Sequence, residues 1–201
     1  MKLFYAPPSP FARKVRVLAR ERTMMDQIKE IMVNPYQDDP RLLAVNPAGL
    51  VPALVLADGA PLMDSRLICQ HLEAVAGLGG HVKNSDHVRR MHQGALGDAI
   101  LDFAVASVGE RRRTDASPSE NFVGRKLAKI ERCLGALPGG PERLTSDLSL
   151  VDITSGCALA YLDFRLPDFD WRGVRPDLAP WLEDLQRRPA FQQTQPAEYL
   201  H

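Results

Sequence analysis

The chain predicts a two-part fold, α/β plus all-α: an N-terminal domain of order βαβαββα over residues 1–80, then an all-helical bundle over residues 86–201. Three observations predict it. Short apolar runs of strand length alternate with helical periods in the first part, Pro and Gly punctuate the changes of period, and beyond residue 82 the apolar spacing is helical throughout.

Each element follows from local chemistry. Leu3-Phe4-Tyr5 reads as the core of a strand over 2–5, and the turn through Pro7-Pro8 delivers Ser9 to the N-terminus of an amphipathic helix over about 10–23. Residues 27–32 read as a second strand of weaker alternation, completing a βαβ unit. A polar stretch from Asn34 to Pro40 and a short helical piece near Arg41 to Val45 follow. Asn46-Pro47-Ala48-Gly49 turns the chain into Val51-Pro52-Ala53-Leu54-Val55-Leu56, and Asp58-Gly59, a strong two-residue turn signal, folds that strand onto Ala60-Pro61-Leu62-Met63. Ser65 begins the next helix, in which Leu67, Ile68, His71, Leu72 and Val75 recur at helical spacing until Gly77-Leu78-Gly79-Gly80 stops it. Four further helices are expected at about 86–112, 119–137, 150–165 and 177–188, with stops at Pro138-Gly139-Gly140-Pro141 and at Pro189. Ser149-Leu150-Val151-Asp152 has the layout of a capping box, flanked by Leu148 and Ile153 at the spacing of a hydrophobic staple.

Composition removes several function classes. With 201 residues, 45% of them apolar and 25% charged, the chain can bury a core without disulfide or metal staples. Twenty-five basic residues balance 25 acidic ones, so no global field attracts nucleic acid or anionic lipid. Arg111-Arg112-Arg113, the one local candidate, lies between Glu110 and Asp115 without interleaved aromatics and reads as a solvated helix end. Cys69, Cys133 and Cys157 are widely spaced within apolar helical patterns, which predicts reduced thiols rather than a disulfide frame or metal site. Met1-Lys2 runs straight into the first strand and no segment has the length and apolarity of a membrane span, so a soluble cytoplasmic protein is expected.

Two helix N-termini carry the chemistry. Ser9 stands beside free backbone N–H groups and a positive dipole end, where a thiolate or oxyanion is stabilised. Asp64-Ser65 opens the other helix: one of the two is an N-cap, and together they can hold a carboxylate on Ser65 and an ammonium group on Asp64, as a free amino-acid head would require. Pro52 within an apolar strand fits two readings equally, an ordinary strand-start proline or a cis peptide that turns the Val51 N–H and C=O outward to pair with an extended peptide.

Ser9-Pro10-Phe11-Ala12-Arg13-Lys14-Val15-Arg16, Asn46-Pro47-Ala48-Gly49-Leu50-Val51-Pro52-Ala53-Leu54, Asp64-Ser65-Arg66-Leu67-Ile68 and the Ser149/Asp152 box together resemble the cytosolic glutathione transferase family, in order and spacing along nearly the whole chain. The resemblance implies a thioredoxin-like N-terminal domain, a helical C-terminal domain, a homodimer, and glutathione as co-substrate with no metal. It implies Ser9 as the catalytic hydroxyl that donates to glutathione sulfur. Val51 resembles the residue whose main chain pairs with the cysteinyl unit, Pro52 the cis-Pro, and Asp64 and Ser65 the pair that grips the γ-glutamyl head. Phe11 is expected to line the site, whereas Arg13 and Arg16 read as helix-surface or domain-interface charges.

The expected reaction is conjugation of the glutathione thiolate to a small apolar electrophile. Tyr5 competes as hydroxyl donor but lies inside its strand, where a core or pocket-wall aromatic is the simpler reading. Where redox-active relatives carry Cys-Pro-Phe, this chain has Ser9, which forms no mixed disulfide. Met91, Ala95, Asp98, Asp102 and Phe103 recur at spacings that fit either the electrophile cleft or core packing, and packing is the default. Tyr161-Leu162-Asp163-Phe164-Arg165 reads as bundle packing. Two alternatives share the fold: a non-catalytic interaction module, and an isomerase or dehalogenase that recycles glutathione.

Overall fold

The computed structural model describes residues 1–78, 85–139 and 148–199. Its first element, β1 (Lys2–Tyr5), is followed by α1 (Pro10–Glu21), β2 (Lys29–Met32), α2 (Pro40–Leu43), β3 (Ala53–Val55), β4 (Pro61–Leu62) and α3 (Ser65–Val75). This is the expected βαβαββα order, with short 3₁₀ turns at Met25–Gln27 and Pro35–Gln37 added around β2.

The four strands form one mixed sheet in the order β2-β1-β3-β4. β1 and β2 run parallel, with Lys2 opposite Lys29 and Tyr5 opposite Met32. β3 is antiparallel to β1, with Phe4 opposite Ala53, and β4 is antiparallel to β3, with Leu54 opposite Leu62. Because side chains alternate across a strand, Phe4 and Ala53 share one face, where they pack with Val33 and Leu42. Leu3 and Leu54, both fully buried, point to the other face, on the side of α1 and α3.

The structure divides into two compact units, Met1–His81 with Arg188–His201, and Val82–Arg187. That differs from the expected boundary, which placed everything from residue 86 to 201 in the helical domain. The reason lies in side-chain pairing at the C-terminus. Pro189, expected only as a stop, is the first residue of a short helix, α9 (Pro189–Gln192), whose Phe191 is fully buried and whose flanking Arg188 pairs with Glu21 of α1.

Within the second unit lie α4 (Ser85–Arg111), α5 (Glu120–Ala136), α6 (Leu150–Arg165), α7 (Trp171–Val174) and α8 (Leu178–Gln186). Twelve consecutive residues of α6, Val151 to Leu162, are buried, so this helix forms the apolar axis of the unit. It starts at the predicted capping box: the Ser149 hydroxyl accepts from the Asp152 N–H at 3.2 Å while the Asp152 carboxylate accepts from the Ser149 N–H at 3.1 Å. Leu148 and Ile153, the expected staple, are both buried. Arg175 closes the end of α5, donating to the carbonyls of Leu134 and Leu137 at 2.7 Å each. Tyr161 is buried in α6, and Asp163 accepts from the Trp171 indole and from Arg172, so this stretch packs the bundle as expected. The Arg111-Arg112-Arg113 triplet is the helix end foreseen: Arg113 pairs with Glu110 and Asp115, and Arg111 with Asp168.

Cys69 and Cys157 are buried and Cys133 is half-buried, and none of the three is joined in a disulfide. Burial pushes the Cys133 thiol up from its ordinary value. Among the described residues, no helix is long and apolar enough to cross a membrane, and no group of His, Cys, Asp and Glu side chains is placed to hold a metal ion. The expected helix stop at Gly79-Gly80 and the turn residues Gly140-Pro141 lie outside the described residues.

Candidate functional site

Strand direction gathers the site. β1 ends at Tyr5; β3, antiparallel to it, begins at that same end; β4, antiparallel to β3, finishes there. Ser9, Val51-Pro52 and Asp64-Ser65 therefore emerge at one edge of the sheet although they are far apart in sequence.

Ser9 is half-buried and caps α1, with Pro10 in the first helical position, where a missing N–H removes no intrahelical bond. Its Oγ accepts from the Ala12 N–H at 3.2 Å, and its own N–H donates to the Ala6 carbonyl at 3.0 Å. Among the described residues nothing takes the proton of the Ser9 hydroxyl. A hydroxyl that accepts one bond is a better donor in the next, so the cap contact polarises the O–H that remains available. Phe11, half-buried, is the second residue of the same helix.

The Val51–Pro52 bond is cis, one of the two readings left open by the sequence. Pro52 is buried and Val51 half-buried. β3 pairs with β1 only from Ala53 onward, and among the described residues neither the N–H nor the C=O of Val51 has a hydrogen-bond partner. The backbone at residue 51 thus offers one donor and one acceptor to an extended chain.

Asp64 is the N-cap of α3 and follows a second cis bond, Met63–Asp64. One carboxylate oxygen accepts from the N–H groups of Arg66 at 3.0 Å and Leu67 at 3.4 Å. No described group hydrogen-bonds the other oxygen, and the side chain is exposed. Ser65 is buried, and its hydroxyl has no protein partner among the described residues. The cap reading and the binding reading of this pair are compatible, since one Asp64 oxygen serves each.

Several of the competing residues have partners of their own. Tyr5 lies in the strand under Arg16, whose guanidinium sits 4.1 Å from the ring centroid. Arg13 and Arg16 are buried rather than on the helix surface. Arg16 and Arg20 both hold Glu30 of β2, at 2.8 and 2.7 Å. Burial alone would raise the Glu30 pKa, but hydrogen bonds from Arg20 and Arg16 and their charges outweigh it and bring it down to about 2. In the second unit, Asp98 is buried and the Phe103 ring lies against Lys126 and Lys129 of α5, the packing alternative for that helix.

One exposed residue at the same sheet edge escaped the sequence reading. Tyr36, 83% exposed, stands in the turn that leaves β2, which is parallel to β1 and so ends beside it. The signal was topological: every strand parallel to β1 empties its following loop onto the candidate site.

Residues 8–75 match the family model described as the N-terminal domain of glutathione S-transferase, and residues 123–184 match that of its C-terminal domain. The uncharacterized GST-like protein YibF of Escherichia coli K12 is 35% identical over 204 residues, covering 98% of each chain. A glutathione transferase family member from Pseudomonas fluorescens Pf-5, crystallised with bound glutathione, superposes with a TM-score of 0.84 at 33% identity over 98% of each chain. A glutathione S-transferase from Methylobacterium radiotolerans in complex with glutathione sulfonate superposes with a TM-score of 0.86 at 30% identity, covering 100% of this chain and 97% of that one.

Proposed function

Since this chain belongs to the glutathione S-transferase family, we propose that it joins the thiolate of reduced glutathione to small apolar electrophiles, with Ser9 as the group that stabilises the sulfur anion. The observation that carries the reading is the unoccupied O–H of Ser9 at the α1 N-terminus, on the sheet edge that also holds the unpaired Val51 backbone and the Asp64-Ser65 pair. Those groups fit the tripeptide in kind. The Val51 N–H and C=O suit its cysteinyl main chain, the Ser65 hydroxyl suits the γ-glutamyl carboxylate, and the free Asp64 oxygen suits the ammonium group.

The energetics are modest. A free thiol with a pKa of about 8.5 is roughly 3% ionised at pH 7, and lowering it by ~2 units requires about 2.7 kcal/mol of preferential anion stabilisation. One charge-assisted hydrogen bond contributes roughly 1.5–3 kcal/mol and the helix terminus ~0.3–1 kcal/mol, so no general base is needed. The sulfur then forms a bond to the electrophilic carbon, and in a substitution the leaving group departs with the electron pair.

Homodimeric assembly and a cytoplasmic location belong to the same proposal. It is tested by retention on immobilised glutathione together with turnover of a chloronitrobenzene. Failure to bind glutathione by an intact, folded protein would favour an interaction module. Binding without conjugation of any tested acceptor, but with turnover of a cis–trans or halogenated substrate, would favour the isomerase or dehalogenase reading.

A further inference from the structure

The C-terminal segment returns to the first unit and grips α1, the helix whose N-terminus carries Ser9. Phe191 is fully buried there, and Arg13 places its guanidinium 5.4 Å from the Phe191 ring centroid while donating to the Phe191 carbonyl at 3.3 Å. Arg13 is also the residue whose backbone N–H donates to the Ser9 carbonyl at 3.0 Å, closing the first turn of the helix. One residue thus touches Ser9 through its main chain and the tail through its side chain. Lower on α1, Arg188 makes a two-pronged pair with Glu21 at 3.0 and 2.6 Å, and Arg20 donates to Gln193 at 3.2 Å. Thr194 bonds back to the Ala190 carbonyl at 2.7 Å, which holds the segment in a closed turn against the helix.

Resting on the transferase reading, we infer that residues 188–194 set the position of the α1 N-terminus, with Arg13 as the positioning residue that transmits the tail's hold to the Ser9 hydroxyl. Other ties fix α1 at different points: Glu30 holds its middle and Glu73 of α3 holds Arg22 just past its end. The tail reaches the turn next to Ser9. A hydrogen bond to a developing anion is sensitive to placement, because displacement by a fraction of an ångström weakens it while the rest of the tripeptide's contacts persist. The tail therefore acts on thiolate formation and turnover more than on glutathione affinity.

The test uses the full-length protein and reads three quantities: the pKa of bound glutathione from thiolate absorbance against pH, glutathione affinity by calorimetry, and kcat with a chloronitrobenzene. Arg188→Glu and Phe191→Ala are expected to raise the bound-thiol pKa by roughly half a unit to one unit and lower kcat about three- to tenfold, with affinity within about twofold. Adding Glu21→Arg to Arg188→Glu rebuilds the pair with reversed charges and should restore both readouts. That double swap keeps the inference testable if Phe191→Ala does not fold.

Ser9→Ala serves as the reference. If it raises the bound-thiol pKa while the folded tail variants keep the wild-type value, the inference is overturned and the transferase reading stands. Tail variants that lose affinity at unchanged pKa overturn it equally. A wild-type protein that shows no lowered thiol pKa on binding glutathione overturns the transferase reading, and this inference with it.

Discussion

Ser9 and Ser149 cap two helices through the same contact, a hydroxyl oxygen 3.2 Å from the N–H of the third helical residue, and each has an extended backbone. They differ in that third residue. At α6 it is Asp152, whose carboxylate accepts a hydrogen bond from the Ser149 hydroxyl. At α1 it is Ala12, which offers no acceptor, so the Ser9 proton stays available. The same residue in the same cap has its hydroxyl hydrogen already bonded in one unit and available in the other, and what separates them is the missing carboxylate. An acid beside Ser9 would also repel the sulfur anion that the helix terminus favours.

The helices behind the two caps differ as well. α6 is held by apolar burial along most of its length, whereas α1, buried over nine of its twelve residues, includes Arg13, Lys14 and Arg16 among them and is tied down by ion pairs. Glu30 receives Arg16 and Arg20, Glu73 receives Arg22, and Glu21 receives Arg188. α1 therefore adds charge pairing to its apolar burial, where α6 relies on hydrophobic contact.

Replacing the two serines in turn separates chemistry from capping. Ser9→Ala should reduce kcat by ~10²-fold, about 2.7 kcal/mol of transition-state stabilisation, with glutathione affinity nearly unchanged. Steady-state kinetics alongside calorimetry measure both. Unchanged turnover would pass the donor role to Tyr5 or to backbone N–H groups.

Acid should loosen α1 before α6. The Glu30 pKa is lowered on folding from 4.5 to about 2, so its stabilisation is complete above the unfolded value and is lost as pH falls from 4.5 toward 2. The full linkage equivalent of that shift is about 3.4 kcal/mol, and solvent screening at this half-buried carboxylate reduces the expected loss to on the order of 2–3 kcal/mol. Denaturant titrations at pH 7, 4.5 and 3 should show it. Glu30→Gln should lower stability at pH 7 and flatten the curve below 4.5, and an equally steep acid loss in that variant would assign the effect elsewhere.

At α3 the cap and the binding role can be separated by one substitution. Asp64→Asn keeps a good N-cap while removing the charge, so glutathione affinity should fall about tenfold with little change in melting temperature. A pure rate effect would contradict the assignment of Asp64 to the ammonium group. The smallest change belongs to the structural serine: Ser149→Ala should cost about 1 kcal/mol of stability and leave kcat alone. A clear loss of turnover in that variant would erase the contrast between the two caps.

Much of the fold was readable because its signals are local. Pro7-Pro8 before Ser9-Pro10, Asp58-Gly59 between two short strands, and the Ser149/Asp152 spacing are each decided by sterics and hydrogen bonds within about four residues, the span over which caps and turns act. The candidate groups Ser9, Val51-Pro52 and Asp64-Ser65 were found the same way, since each sits where a strand or helix begins. Tyr36 was not, because its place depends on β2 running parallel to β1.

What the linear chain determined by itself was the order of the elements and the identity of the groups at their ends. Tertiary structure alone decided that Arg13 and Arg16 lie buried, that the Val51 backbone is left unpaired, and that residues from Arg188 onward belong with the first unit. Arg13 and Phe191 are 178 residues apart, and no periodicity or cap chemistry reaches across such a separation. A long-range partner is chosen by the shape and charge of the folded surface, and that surface exists only after the local elements have packed.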